Sequence, residues 1–480
     1  MRSPSNTLPD YQREFSPRNI KNYISLALLP IGTQGLSSML FSTYLSYVYV
    51  NYLGVNAAVI GLVMSVGIVV DGVTDFLMGI VTDRVRTKWG KARHWFFVSC
   101  LPVAVSMVLM FMIPESAGTT AKVVWAFLWY NIFCTLLTTV RLPGAALIAL
   151  ASDSSKVRNN LSWCYEVMNP VASSILGWIT APILTSLGPS LATYRIITLI
   201  CAVVTMVSLL LIGVLCSEQR TGEDWKVYDA EYRKLHKDER KESLSAQLRH
   251  LFQNKWWVVY QLFQIFNQCG IFFIFGVMAY WLDLVLGDGS QVGILFTVLN
   301  IPTIIGCILY VFVARFFKTK HLLLGTLLLQ FLCALTAWIA GANAWTVVLI
   351  ALAVKSFVGG LGSPAVRTII PQIIDYGEWK TGSRQEGLAN AGTTVMTKII
   401  SAAASAAAGF VLAAAGFTGE GAVVAANAVS QLNFLFLGIP CITIGIAFVV
   451  FLFFRLTETD CERYRAEIEA RKKALNAETP

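Results

Sequence analysis

Two carboxylates stand inside a stretch that is otherwise apolar. In Ser65-Val-Gly-Ile-Val-Val-Asp71-Gly-Val-Thr-Asp75-Phe-Leu-Met78 the acids are Asp71 and Asp75. The run that holds them, 56–82, is long enough to cross a bilayer. A carboxylate in hydrocarbon is costly and marks a functional site by default. At spacing i, i+4 the two share one helix face, about 6 Å apart. Unmatched, they repel, and one tends to hold a proton. A small cation or a proton removes that repulsion. Thr74 falls on the same face, and Thr138 lies in another apolar run, so hydroxyl oxygens can join the carboxylates around a hard cation such as Na⁺. The competing reading is structural: the acids neutralise a neighbouring base such as Lys398.

Other polar residues fall within apolar runs. Arg141 and Glu166 form a candidate opposite-charge pair on neighbouring spans. They serve either as a substrate clamp, since a guanidinium fork grips carboxylates or vicinal hydroxyls, or as a helix staple. Arg367 can face a cavity, and Lys355 either snorkels or pairs. Trp163 and Tyr165 flank this region and can stack on a sugar ring or anchor at an interface. Gly359-Gly-Leu-Gly-Ser-Pro364 interrupts a span and suits close helix packing or a bend. Catalytic constellations are missing: there is no HExxH, GxSxG or Walker A motif, and His94, His236, His250 and His321 all lie in or beside loops. The chain reads as a non-enzyme with no cofactor beyond a coupling cation.

Elements that could position these residues follow from composition. The 480 residues are 56% hydrophobic and only 14% charged, against about 25% charged in soluble proteins. Twelve runs can cross a membrane: 22–52, 56–82, 95–114, 121–151, 161–187, 193–216, 255–286, 290–314, 321–341, 344–375, 385–416 and 430–454. The net charge of +9 is not a nucleic-acid signature. Of 37 Lys and Arg, 31 fall in the two tails and in alternate loops. That asymmetry places both termini in the cytoplasm and the protein in the plasma (inner) membrane. The ten cysteines form no CxxC and read as small buried apolar residues. The first 21 residues lack the features of a cleaved signal.

The expected organisation is a tail (1–21), a six-span half (22–216), a charged linker (217–254), a second six-span half (255–455) and a tail (456–480) that reads as helical and exposed. The linker suits one or two helices on the membrane surface, or a solvated connection. Basic clusters follow the second span of each half: Asp83-Arg84-Val-Arg-Thr-Lys88-Trp-Gly-Lys91-Ala-Arg93, and more weakly Arg315, Lys318 and Lys320. Paired halves with matching loops are the mark of a duplicated transporter.

Two longer motifs carry a family resemblance. One is Asp71-Gly-Val-Thr-Asp75 followed by Thr87-Lys-Trp-Gly-Lys91; the other is Asp375-Tyr-Gly-Glu-Trp-Lys-Thr-Gly-Ser-Arg-Gln-Glu-Gly387. With the twelve-span plan, the chain resembles the glycoside–pentoside–hexuronide cation symporters, the melibiose-permease branch of the major facilitator superfamily. The resemblance implies an all-α membrane fold of two six-helix bundles. It implies a coupling cation at Asp71 and Asp75, with Thr74 in place of an asparagine and Thr138 completing the site. It implies that Lys398 and Thr394 neighbour the cation and sugar sites. Asp83, Arg84, Lys88, Lys91, Tyr376, Glu378, Arg384 and Glu386 would then latch the cytoplasmic side.

The departures concern the sugar. The family's helix 1 acid is matched by Gly35, its helix 4 acid by Arg141, its helix 5 arginine by Glu166, and its stacking tryptophan by Ala145. The cation half of the machinery is kept and the galactoside half is not, which favours an anionic sugar such as a uronide or a sulfonated sugar. The implied activity is Na⁺- or H⁺-coupled symport of a sugar or glycoside by alternating access. A cation-coupled carrier of a lysolipid or other organic anion is one alternative, and a non-transporting membrane sensor or scaffold is another.

Overall fold

The computed structural model describes residues 15–470 apart from 34–35, 38, 86, 153, 220–243, 382–385, 418–426, 458, 465 and 469. Among the described residues the only strand-like feature is an isolated bridge between Thr87 and Gly90. Everything else of regular form is helical. Among the described residues, eleven helices are long and apolar enough to cross a membrane, and their positions follow the expected spans closely.

The helices are α1 (Pro17–Gly32), α2 (Ser46–Asn51), α3 (Ala57–Arg84), α4 (Arg93–Phe111), α5 (Thr119–Ala151), α6 (Ser155–Leu187) and α7 (Leu191–Leu215). After the charged linker come α8 (Leu244–Gln253), α9 (Lys255–Leu284), α10 (Val292–Val313), α11 (Thr319–Ala340), α12 (Trp345–Thr381), α13 (Glu386–Ala414), α14 (Ala428–Asn433) and α15 (Ile439–Leu452). The first expected span, 22–52, is not one helix. It is α1, a π-helical turn at Phe41–Leu45 and α2, and α1 stops at Thr33, whose backbone (φ −125°, ψ −96°) is not helical.

Burial patterns show how such helices are used. On α3, Val66, Val69, Val73 and Leu77 are all exposed. They recur at three- and four-residue spacing, so they form one stripe, and that stripe lies across the helix from Asp71 and Asp75. In water such a stripe would be an aggregation hazard. Against lipid it is the expected outer face, and it turns the two acids inward.

The cations that break the loop asymmetry have structural employment. Buried Lys122 donates to the Leu53 carbonyl (2.9 Å), next to the end of α2. Arg195 donates to the carbonyls of Phe111 (2.9 Å) and Ile113 (2.7 Å), at the end of α4. Both satisfy carbonyls that a helix C-terminus leaves without an intrahelical partner, with the favourable sign of charge.

Contacts divide the chain into two compact units. The first comprises residues 1–238, 275–301 and 402–432. Within it Gly61 of α3 meets Gly409 of α13 so closely that a Cβ on Gly61 would lie 2.9 Å from the Gly409 Cα, and Gly177 of α6 meets Gly293 of α10 similarly. Tyr280 and Ser46 share a hydrogen bond of 2.9 Å, and Ser65 donates to the Ala402 carbonyl at 2.7 Å. Thus parts of α9, α10 and α13 pack with the N-terminal helices, as small-residue crossings allow.

The second unit comprises residues 239–274, 302–401 and 433–480. Its core gathers Leu251, Trp257, Tyr260, Phe263, Ile373 and Tyr376. The chain beyond 456 differs from the exposed tail expected from its charges. Leu456, Cys461 and Tyr464 are buried, and the Tyr464 ring lies 4.5 Å from that of Trp379. A charged helix can still dock if one face carries the apolar residues, and here Cys461 and Tyr464 supply it. The glycine run at 359–364 does not interrupt its span, because α12 is continuous through it. It serves packing instead: a Cβ on Gly360 would lie 2.1 Å from the Thr303 carbonyl oxygen of α10, and one on Gly306 would lie 2.2 Å from the Phe357 carbonyl oxygen.

That crossing yields a test. Gly360→Val must force two backbones apart, with no flexible side chain to give way, and such overpacking costs roughly 1–3 kcal/mol or more. The purified variant is expected to melt several degrees below wild type, whereas Gly359→Ala, which meets only the tip of Gln330 at 3.4 Å, stays near wild type. Equal melting of Gly360→Val and wild type would mean that the two helices do not approach so closely.

Candidate functional site

The acids of α3 face α5, and the two helices lie side by side because a glycine permits it. A Cβ on Gly67 would overlap the Tyr130 ring of α5 at 2.3 Å. One turn further along α3 comes Asp71 and then Asp75, and across from them on α5 come Thr138 and Arg141. These four residues converge. Thr138 Oγ1 is 2.8 Å from Asp71 Oδ1 and 3.0 Å from Asp75 Oδ1. Arg141 Nη2 donates to Asp71 Oδ2 at 3.1 Å and to both oxygens of Asp75 at 2.8 Å. The side chains are mostly enclosed, with 21% of Arg141, 13% of Asp71 and 15% of Asp75 exposed.

The Thr138 hydroxyl has three oxygens within reach: the two carboxylate oxygens and the Cys134 carbonyl at 3.1 Å. The two carboxylate oxygens sit within about 6 Å of each other, where like charges repel by about 3 kcal/mol at an effective dielectric of about 20.

A partner of the acids is therefore Arg141, which the sequence did not offer them. This also corrects the expected Arg141–Glu166 pair: the guanidinium turns to α3, and Glu166 is half-buried on α6 with other contacts. The reason is reach. Asp75 takes Arg141 in two-pronged fashion on a single nitrogen. Thr74 lies beside the acids, but its hydroxyl donates to the Asp71 backbone carbonyl at 3.1 Å, a common local bond for a helical threonine.

The remaining expected residues are placed as follows. Trp163 is exposed on α6. Arg367 is exposed on α12, and Thr394 and Lys398 lie on α13, all three in the second unit. Lys355, also there, is buried. Gly35 and Arg384 lie outside the described residues, as do the side chains of Asp83, Arg84 and Glu386. Tyr376 and Glu378 are buried, with the Tyr376 ring 5.7 Å from Tyr464 and 6.3 Å from Trp256. Lys88 is exposed and sits 5.7 Å over the Trp89 ring.

Lys91 contributes its backbone rather than its charge, to a residue the sequence did not single out. Glu218, just beyond α7, is buried, and its carboxylate accepts from the backbone N–H groups of Lys91 (2.8 Å), Ala92 (2.7 Å) and Arg93 (2.8 Å). The Arg93 N–H is the first of α4 and the other two lead into it; the helix's own N-cap, Ala92, has no side-chain acceptor. Glu218 is thus a cap delivered from 125 residues away, aligned with the positive end of the helix. Gly90 makes room for it: its φ is +116°, and a Cβ there would fall 2.4 Å from the Glu218 carboxylate. That explains the glycine in Thr87-Lys-Trp-Gly-Lys91. Arg18 and Asn22 of α1 bind the same segment, through the Glu218 carbonyl and the Ser217 carbonyl and amide. No sequence signal marks Glu218, because its partners are remote.

An all-α fold with eleven membrane-length helices among the described residues fits a membrane transporter, and comparison with known proteins shows that class. The family model for MFS/sugar transport proteins matches residues 28–458, and the chain belongs to that family. It is 25% identical over 451 residues to the isoprimeverose transporter of Lactiplantibacillus pentosus, covering 92% of this chain and 90% of that protein. It is also 25% identical over 440 residues to the glucuronide carrier protein homolog of Escherichia coli (strain K12), covering 89% and 91%. In fold it is similar to the inward-open xylose transporter XylE from E. coli, with a TM-score of 0.66 at 12% identity, covering 93% of this chain and 98% of that one. The protein is a multi-pass sugar transporter of the major facilitator superfamily, similar to the glycoside–pentoside–hexuronide symporters.

Glu218 gives the prediction at this site. Glu218→Ala leaves three buried N–H groups without acceptors, each costing about 1–3 kcal/mol, and is expected to lower the unfolding temperature by several degrees. Glu218→Gln, which keeps one acceptor oxygen, should recover part of the loss. An Ala variant that melts with wild type would mean that the carboxylate does not hold α4.

Proposed function

We propose that this chain imports a sugar or glycoside together with a monovalent cation, Na⁺ or H⁺, across the plasma (inner) membrane by alternating access. The observation that carries this reading is the enclosed oxygen cluster of Asp71, Asp75 and Thr138, which gathers two carboxylates at 2.8 and 3.0 Å from one hydroxyl, beside Arg141. A purely structural ion pair would have no need of a second acid. Binding of the ion between the acids raises the affinity for cargo; by linkage, cargo must tighten the ion in return. Arg141 favours a cargo carrying a carboxylate or sulfonate, or a dense set of hydroxyls, in keeping with relatives named for isoprimeverose and for glucuronides. The distribution of Lys and Arg supports cytoplasmic termini. The basic loop after α3, clasped by Glu218, then belongs to the cytoplasmic side, together with Tyr376 and Glu378. The crossings of α3 with α13 and of α6 with α10 are contacts that must part when cargo enters from outside.

A lysolipid cargo has one observation in its favour: 29% identity over 123 residues to the sodium-dependent lysophosphatidylcholine symporter 1-A of Danio rerio, a quarter of this chain. That match supports sodium as the ion more than lipid as the cargo, because the long matches are to sugar carriers and the acid–arginine cluster suits a polar one.

The test is counterflow in proteoliposomes with isoprimeverose, a phenyl glucuronide and a neutral glycoside, in Na⁺ or choline and at two pH values. At least one sugar is expected to exchange faster with the coupling cation present, by roughly 5–150-fold, the usual range of such coupling. Asp75→Asn should lose that stimulation and remain folded. Sugar exchange indifferent to Na⁺ and to pH in the wild type would refute symport.

A further inference from the structure

The helices α4 and α7 are stapled by an arginine at each end. At one end Arg93 of α4 donates to the carbonyls of Gly213 (2.7 Å) and Val214 (3.1 Å), where α7 closes. At the other end Arg195 of α7 donates to the carbonyls of Phe111 (2.9 Å) and Ile113 (2.7 Å), where α4 closes. Between the staples, nearer to Arg195, the two helices leave a groove of about 250 Å³. Every residue that lines it is apolar. Buried Ala104 and Ala202 form its floor, and exposed Val105, Leu199 and Val203 form its rim.

Arg195 stands over the end of this groove. It precedes Leu199 by four residues and Leu199 precedes Val203 by four, so the three share one face of α7. Side chains of a helix lean toward its N-terminus, which carries the guanidinium away from the groove and toward the membrane surface. Its two bonds use the Nε–H and one Nη2–H of five donors. The other three make no hydrogen bond among the described residues, and no carboxylate among them, exposed Glu115 included, forms an ion pair with Arg195. At the Arg93 end an acid is at hand, since Glu218 accepts the Arg93 backbone N–H at 2.8 Å.

We propose that this groove and Arg195 form a binding site for one anionic phospholipid, with an acyl chain along the groove and the phosphate on the guanidinium. The groove by itself selects nothing, because lipid tails are as apolar as its walls. What holds a particular lipid there is its headgroup. A phosphodiester takes the unused guanidinium donors in charge-assisted hydrogen bonds, and a cation at the edge of hydrocarbon needs an opposite charge. Trp125, whose indole N–H donates to the Leu109 carbonyl at 2.7 Å, sets an interfacial aromatic at the same level. A second copy of this chain suits the groove less well. Helices in membranes meet through small residues, whereas this rim is valine and leucine, and an apolar helix would leave Arg195 without its counter-charge. With the termini in the cytoplasm, the site belongs to the outer leaflet. It is independent of the coupling ion.

The experiment reconstitutes full-length protein in equal parts of phosphatidylcholine and phosphatidylglycerol, extracts it in mild detergent, and counts retained lipids and chain copies by native mass spectrometry. Wild type is expected to retain phosphatidylglycerol several-fold over phosphatidylcholine. Arg195→Gln should bring that ratio close to one, and Arg195→Lys, which keeps the charge, should preserve most of it. Val203→Trp fills the groove and should lower retention of both lipids. Equal retention of the two lipids by wild type, a ratio unchanged in Arg195→Gln, undiminished retention in Val203→Trp, or a lipid-free dimer would each overturn the proposal. Arg195→Gln also strands two carbonyls and can fail to fold. Val203 makes no side-chain hydrogen bond, so its variant and the wild-type ratio keep the question decidable.

Discussion

A charge held in hydrocarbon must find its opposite, and this constraint organises the protein. Ionised groups taken out of water cost several kcal/mol each unless matched. The Asp71–Arg141–Asp75 triad answers that requirement within the first unit, gathering two carboxylates on one guanidinium.

The rest of the first unit serves that triad. The lipid-facing stripe of Val66, Val69, Val73 and Leu77 fixes the rotation of α3. The Gly67–Tyr130 contact fixes its distance from α5. Farther along, Glu218 clasps the start of α4 and, with Arg18 and Asn22, ties α1, α4 and the end of α7 together at the basic end. The two kinds of contact behave differently under load. Glycine crossings rely on dispersion over short distances and can separate without stranding a charge. The Glu218 clasp cannot open without leaving three N–H groups and a carboxylate bare.

The acid–arginine cluster also bears on what is carried. Relatives are named for isoprimeverose and for glucuronides, cargoes that share many hydroxyls and differ by a carboxylate. A guanidinium fork binds either kind of oxygen pair.

Much of the fold was legible in the residues themselves. Span positions follow from hydropathy, because the thickness of a bilayer sets the length of each run. The acids of α3 and the hydroxyl of Thr138 were legible as a polar cluster, because their oxygens are conspicuous in an apolar run. What remained hidden were pairings between distant positions. Asp71 and Asp75 meet Arg141, and Arg141 turns away from Glu166. Glu218 caps a helix that begins 125 residues before it, and the charged stretch beyond 456 docks through Cys461 and Tyr464. Sequence determined which residues are costly to bury and how long each helix must be, since both depend on local composition. Only tertiary structure decided which opposite charge meets which, because that choice depends on helix rotation and on separations of a few ångströms that side-chain packing alone sets.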